Sequence, residues 1–450
     1  MRDLIQTIRN IFKIPELKDR IITTLLLLAV YRLGTYVVLP GIDSDALQTN
    51  FNSGGNAGGG LIDLFNAFLG GAFARGSIFA LGIMPYISAS IVVQLLAAVV
   101  PSIQKLRMEG DSGTKKINQI TRLLTVVITL AQSASYVVYL NSQFPTSQAL
   151  NNSFFWLTSV FLLTAGTMFL VWLGERITDK GIGNGTSLII MIGIISQFPG
   201  ALINEARSQT PMIFFFEVIA LGLVTMGVIA LTQATRKIPI SYARQMMDNR
   251  QVASMGSDGN PQARQYIPLK MNSAGVMPII FAQAIMFLPT YIIGMMNNNF
   301  MSGANTALGD PTSIWYNLLF ATLIIVFTYF YTAITVNPNE IADQLKRNGG
   351  FIAGVKPGKT TAEYIDNILS HITLPGAVCL AIVAILPAIA TIFGISGIFS
   401  KFFGGTTILI MIGVVLDTLQ QVESYLLNKH YDGLMKSGRI KGRQKSGVVA

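Results

Sequence analysis

Two stretches of this sequence have the spacing of phosphate-binding loops. The first, 353-AGVKPGKT-360, fits a relaxed phosphate-loop pattern with Ala at its first position. Such a loop works by wrapping backbone N–H groups around phosphate oxygens. It requires a strand before it, a helix after it and a nucleotide-binding core around it. Here the whole segment between neighbouring apolar runs is 337–371, too short to house an NTPase domain. Pro357 also removes one N–H from the cradle. The stretch therefore predicts a turn followed by a helix over 360-TTAEYIDNILSHI-372. The second, 181-GIGNGTS-187, resembles part of a dinucleotide fingerprint but follows an apolar run of helix length instead of a strand. It predicts a tight turn that caps the next helix. His371, His430 and Cys379 are the full His/Cys inventory, too small for a metal site of that type. One cysteine also allows no intramolecular disulfide. No paired carboxylates or nucleophile–base set stand out at membrane depth. What is left is a chemistry of water exclusion. Ile83 and Ile87 are four residues apart, on one helical face. Lipid contact or packing is the ordinary use of such a pair. In a pore, a ring of bulky aliphatics dewets the passage and blocks ions.

The elements that would position these residues are membrane spans. The chain has 450 residues, 51% hydrophobic and 12% charged, against roughly 25% charged in soluble domains. Ten apolar segments are near bilayer length: 21–39, 78–100, 119–140, 154–173, 183–203, 212–234, 273–296, 314–336, 372–393 and 405–427. The flanking cations alternate with this division. Twenty-eight of the 32 Lys and Arg fall on one side, and Arg75, Arg207 and Lys401 on the other. The positive-inside rule then predicts that both termini are cytoplasmic. Residues 1–20 are charged and mixed, which predicts no cleavable signal and insertion through the first span. Arg32, Glu217, Asp417 and Glu423 lie near predicted span ends, where snorkelling relieves their cost. Mid-span polarity is mild: Gln94, Gln132 and, at the start of the seventh span, Asn272. Ordinary interhelical hydrogen bonding accounts for it.

One segment does not fit the span pattern. In 57-AGGGLIDLFNAFLGGAFARGS-77 the apolar residues Leu61, Ile62, Leu64, Phe65, Phe68 and Leu69 cover only about half of a spanning length. The sequence also repeats: 82-GIMPYI-87 in span 2 returns as 275-GVMPII-280 five spans later. A five-span unit has an odd count, so its copy must insert inverted, and such repeats place the functional site at their interface. Between spans 6 and 7, 238-IPISYAR-244 and 263-ARQYIPLK-270 read as a long hairpin. Between spans 8 and 9, 340-EIADQLKRN-348 reads as a short helix closed by Gly349 and Gly350. The cations of these loops could enforce topology, meet anionic lipid or dock a polyanion such as ribosomal RNA. On these grounds a channel and a secondary transporter with inverted repeats are equally open, and a membrane enzyme is third. The missing mid-span carboxylate argues against ion coupling.

Three segments then carry a family: 78-IFALGIMPYISAS-90, 166-GTMFLVWLGERITDKGIGNG-185 and 354-GVKPGKTTAEYID-366 closely resemble the SecY/Sec61-alpha family of protein-conducting channels, over essentially the whole chain. The resemblance implies an all-α membrane protein. Ten transmembrane helices would form two inverted five-helix halves around a central pore, with a plug half-helix and a lateral gate. The halves would be 21–204, with the plug at about 57–77, and 205–427, with cytoplasmic loops 235–272 and 337–371. Tails 1–20 and 428–450 would be cytoplasmic. The opening half-helix becomes the plug, and the family's pore ring falls on Ile83, Ile87, Ile190, Ile280 and Ile410. Gln94, Gln132 and Asn272 match polar positions of the lateral gate. Motor or ribosome docking is implied for Arg244, Arg250, Lys346, Arg347, Lys356 and Lys359. Lys356 stands where the family commonly has Arg in a GxRPG motif, which keeps charge but loses bidentate hydrogen bonding. The implied partners are SecE and SecG, the motor ATPase SecA, the ribosome, nascent secretory chains with their signal sequences, anionic lipids, and the accessory proteins SecDF and YidC. The implied location is the bacterial cytoplasmic membrane. No cofactor and no catalytic residue are expected.

Overall fold

Apolar runs of bilayer length must satisfy their backbone hydrogen bonds internally, and helices are how a single segment does so. The computed structural model of the protein describes residues 14–52, 66, 68–143, 153–242, 266–283, 286 and 313–436. Among them seven helices are long and apolar enough to cross a membrane. They match the expected spans 3, 4, 5, 6, 8, 9 and 10. The chain divides into two compact units, 1–197 with 413–450, and 198–412.

The first unit is built from α1 (Pro15–Gly34), α2 (Ser44–Asn52), α3 (Met84–Val99), α4 (Pro101–Met108), α5 (Asp111–Gln143), α6 (Ser153–Lys180) and the start of α7 (Gly185–Ser208). α3 packs on α5, α5 on α6, and α1 on α6. A core of Leu39, Leu47, Ala80, Leu81, Tyr136, Val137, Leu140, Val160 and Leu163 sits where the non-helical stretch 69–83 meets these helices. Two expectations are corrected here. The first span leaves its helix at Gly34, and Val38 instead bridges Ser77 in a short antiparallel contact. The second span is not helical from residue 78: residues 78–83 are turns and α3 starts at Met84. Gly82 lies at φ +56° and blocks the helix upstream. Pro85 lies in the first turn, where its missing N–H costs nothing.

The glycine cluster 181–187 forms the predicted turn. Asn184 Oδ1 accepts the Thr186 N–H at 3.1 Å and caps α7. A Cβ at Gly185 would lie 1.9 Å from the Gly174 carbonyl oxygen, so only glycine lets α7 approach α6.

The second unit continues α7 and adds α8 (Pro211–Gln233), α9 (Ile314–Thr335), α10 (Pro338–Arg347), α11 (Lys359–Ile392), α12 (Gly397–Ser400) and the start of α13 (Gly405–Lys436). Four short strands join it: β1 (Thr235–Pro239), β2 (Ser241–Tyr242), β3 (Tyr266–Lys270) and β4 (Gly350–Phe351). β1 pairs antiparallel with β3, from Thr235↔Lys270 to Pro239↔Tyr266, which forms the base of the expected hairpin. β2 pairs with β4, tying the two long loops together. Ile238, Ile240, Leu269, Leu345, Ile352, Ile365 and Leu369 give these loops a hydrophobic core of their own. Span 7 is helical from residue 277, not 273. The helix expected at 360–372 is not separate: α11 runs unbroken through Pro375 and Pro387. Glu205, fully buried, accepts the Ser396 N–H at 3.2 Å and its hydroxyl, fastening α7 to the turn before α12. Glu217 is also buried, not snorkelled, whereas Asp417 and Glu423 are exposed.

Candidate functional site

In the first unit a largely non-helical segment folds back beside an apolar cluster. Of the predicted half-helix, Leu61, Ile62, Leu64 and Phe65 lie outside the described residues. Phe68 and Leu69 are described, and both are buried. They meet Tyr31 of α1, Ile83 and Met84 at the start of α3, and Ile189 and Ile190 of α7. The gap left among them is about 10 Å³, no more than one water would fill. Ile83 stands at the very start of the helix with its backbone already in the right-handed helical region, so the one-turn spacing to Ile87 is kept. It is the residue before α3, at φ −94° and ψ −2°, and its carbonyl accepts the Ile87 N–H at 3.1 Å. Ile83 is buried, while Ile87 and Ile190 are half-buried.

Glycines make this close approach possible. A Cβ at Gly82 would stand 2.0 Å from Leu69 Cδ2, and one at Gly193 would stand 2.3 Å from the Phe68 carbonyl oxygen. The segment therefore lies flush on the turn before α3 and on α7.

Irregular backbone at this depth needs partners for its polar groups, and side chains from three helices supply them. Gln197 Nε2 of α7 donates to the Asn66 carbonyl at 2.7 Å. Arg32 Nη1 of α1 donates to the Gly70 carbonyl at 3.2 Å. Tyr136 of α5 donates its hydroxyl to the Phe73 carbonyl at 2.7 Å. Within the segment, Asn66 Oδ1 accepts the Ala74 N–H at 3.1 Å. Arg32 is thus a ligand of the folded-back backbone, which corrects its expected role as a snorkelling end residue. Arg75 lies over the Tyr36 ring at 4.4 Å and Arg32 over the same ring at 5.1 Å, so one aromatic ring serves both cations. These anchors were not predicted. Arg32 was visible as an intramembrane cation, but Gln197 carried no signal.

Gln94 is exposed on α3, with Nε2 3.2 Å from Ser90 Oγ, and Gln132 is half-buried on α5. In the second unit Ile280 is half-buried on helical residues 277–283, and Ile410 is half-buried on α13. Asn272 precedes that helix, in a turn, and its Oδ1 is buried without a hydrogen-bond partner. The repeat is visible in the backbone. Gly275 lies at φ +64° as Gly82 lies at +56°, and each is followed two residues later by the Met that starts a helix.

The strand-and-helix module of the second unit presents cations. Lys346 and Arg347 end α10, Lys359 starts α11, and Lys356 sits in the turn between β4 and α11, all four exposed. The turn is shaped by Gly354 at φ +86° and Gly358 at φ +108°. Thr361 Oγ1 donates to the Lys356 carbonyl at 2.8 Å and fixes the turn to the helix. Arg244 and Arg250 lie outside the described residues.

Comparison with known proteins completes the picture. The SecY family model matches residues 77–419. Protein translocase subunit SecY of Thermotoga maritima is 38% identical over 444 residues, covering 98% of this chain and all of that protein. The SecY subunit of Streptomyces coelicolor is 40% identical over 444 residues, covering 94% of this chain and 98% of its own. Among solved structures, a protein-conducting channel aligns with TM-score 0.60 at 16% identity, over 90% of this chain and 92% of that one. Sec61 from a canine ribosome–channel complex aligns with TM-score 0.59 at 15% identity over the same shares.

Proposed function

The chain belongs to the SecY family, and from that premise we infer that it is the channel subunit of a protein translocase, a multi-pass membrane protein and not an enzyme. The transporter reading is set aside with that membership. We propose further that Phe68 and Leu69 belong to a plug seated on the pore ring, of which Ile83 and Ile190 are members in the first half. The single observation behind this is that those four residues line one gap of about 10 Å³. An aliphatic constriction that narrow excludes water and so blocks ions. Three side-chain hydrogen bonds from Gln197, Arg32 and Tyr136 hold the segment in place. At about 1 kcal/mol each, they keep the seal yet yield to an inserting polypeptide. Ile87, Ile280 and Ile410 would complete the ring around a translocating chain. Gln94, Gln132 and Asn272 would line the lateral gate, biasing it closed until a sufficiently apolar segment enters.

The exposed cations Lys346, Arg347, Lys356 and Lys359, with Arg244 and Arg250, would receive the motor ATPase SecA or the ribosome. SecE would clasp the halves, with SecG peripheral. SecDF and YidC would act as accessories. The location would be the bacterial cytoplasmic membrane with both termini inside.

The test uses a Cys379→Ser background with single cysteines at positions 83, 190, 280 or 410, in the assembled translocase holding an arrested secretory chain. Crosslinks from these positions, absent from a lipid-facing control, are the expected result. An assembled complex in which none of them reaches the chain would overturn the pore assignment.

A further inference from the structure

The glycine turn 181-GIGNGTS-187 resembles part of a phosphate-binding fingerprint, yet its N–H groups are spent on the protein itself. Gly181 donates to the Ile177 carbonyl at 2.7 Å, Gly185 to Thr178 Oγ1 at 2.9 Å and Thr186 to Asn184 Oδ1 at 3.1 Å. Two others reach distant parts of the chain. Ile182 donates to Thr24 Oγ1 of α1 at 3.1 Å, and Gly183 donates to Gln421 Oε1 of α13 at 2.8 Å. We propose that this turn is a brace and that Gln421 is a positioning residue of the seal. By holding Gly183, it aims Ile189 and Ile190 of α7 at the folded-back segment. The proposal rests on reading that segment as the plug.

Three observations carry it. The first is that the turn is keyed to both helices. Gly181, Ile182 and Gly183 are buried, so without Gln421 the Gly183 N–H would be left unpaired and shielded from solvent, which is costly. A Cβ at Gly181 would stand 2.3 Å from Thr24 Oγ1, and one at Gly183 would stand 2.6 Å from Thr418 Cγ2. α1 and α13 therefore both press on the turn. The second is the short reach from the brace to the gap. Thr24 and Tyr31 are seven residues apart on one face of α1, about 10 Å along the helix. The turn runs directly into α7, which starts at Gly185 and carries Ile189 and Ile190 in its second turn. Tyr31, Ile189 and Ile190 line the gap beside Phe68 and Leu69. Fixing the turn on α1 and α13 thus fixes how α7 presents its two isoleucines. The third is an asymmetry. On the α1 side Thr24 is buried, and Arg20 Nη1 adds a bond to the Gly181 carbonyl at 3.2 Å. On the α13 side, among the described residues, the turn has the one hydrogen bond from the exposed Gln421. Tyr425, one turn further on, meets Arg20 and not the turn, at 5.1 Å. Gln421 is therefore the tie whose loss frees one side of the brace and leaves the other intact.

The test measures halide leak from proteoliposomes holding the assembled translocase, and deuterium uptake in the peptide 178–190. Gln421→Leu should raise the resting leak about fivefold, the worth of one hydrogen bond, and speed exchange in that peptide. Gln421→Glu keeps an acceptor at the same place and should restore both readouts. Glu423→Gln, on the opposite face of α13, should change neither. If Gln421→Leu does not assemble, Gln421→Ala reads the same loss. Gly82→Ala, which disturbs the seal directly, is the reference. A leak from Gly82→Ala with none from Gln421→Leu would overturn the brace and leave the plug standing. So would a leak from Gln421→Leu that Gln421→Glu fails to restore. No leak from either Gly82→Ala or Gln421→Leu would overturn the plug reading and this proposal with it.

Discussion

Ile83 shows how its neighbours' backbone decides what a residue meets. Its side chain is an ordinary aliphatic. Gly82 turns the chain so that Ile83 meets the folded-back segment and not lipid. Gly82→Ala would force a Cβ to 2.0 Å from Leu69 Cδ2 and would hold a non-glycine residue in the left-handed region, at about 1–2 kcal/mol. The expected outcome is a loosened seal, seen as faster halide leak from proteoliposomes at unchanged assembly. Gln197→Leu should act in the same direction but weakly. The Asn66 carbonyl keeps the Gly71 N–H at 3.0 Å, so the loss is near the 1 kcal/mol of a single hydrogen bond. A leak equal to that of Gly82→Ala would contradict this ranking. Lys356→Glu reverses a charge fixed on the turn before α11. It should block motor-driven translocation into vesicles while the folded level is unchanged.

At the scale of elements, the two long loops are predicted to behave as one folded part. Ile365 is fully buried in their core, and Ile365→Ala should cost about 2–5 kcal/mol. Limited proteolysis should then cut within β1, β3 and α10 faster, while the spans remain membrane-inserted. Equal cleavage of both proteins would show the module to be looser than its packing indicates. Most elements were legible in the sequence, because length and hydropathy decide a membrane helix almost alone. Several boundaries were not, and two show why. The start of α3 depends on Gly82 and Pro85, a helix-start signal masked by the apolar run around it. α11 passes Pro375 without ending, although proline in a soluble helix usually stops it. Membrane helices tolerate proline where neighbours re-satisfy the freed carbonyl, and no pattern within α11 reports those neighbours. The anchors Arg32–Gly70 and Gln197–Asn66 were hidden for a related reason. They join a side chain to a backbone carbonyl 38 or 131 residues away, and a carbonyl has no sequence signature.

At the scale of the whole molecule, the repeated GxMPxI stretches argue for two related halves, and the structure shows where the halves part. Gly82 is pressed by Leu69, whereas no described residue lies within 4 Å of a Cβ at Gly275. Gly275→Ala should therefore carry backbone strain alone and leak less than Gly82→Ala. A larger leak from Gly275→Ala would mean that the seal is shared differently. α11 has one further consequence. It is 34 residues long, about 51 Å at the α-helical rise, and one end holds Lys359 while the other passes through the apolar region. Such a rod is a lever. A tilt of about 5° applied at its charged tip moves the far end by about 4 Å over that length. Under the docking proposed for the Lys356 turn, a partner pressing there would act on the interior of the second unit without entering it, with Pro375 as the point where stiffness would fail first.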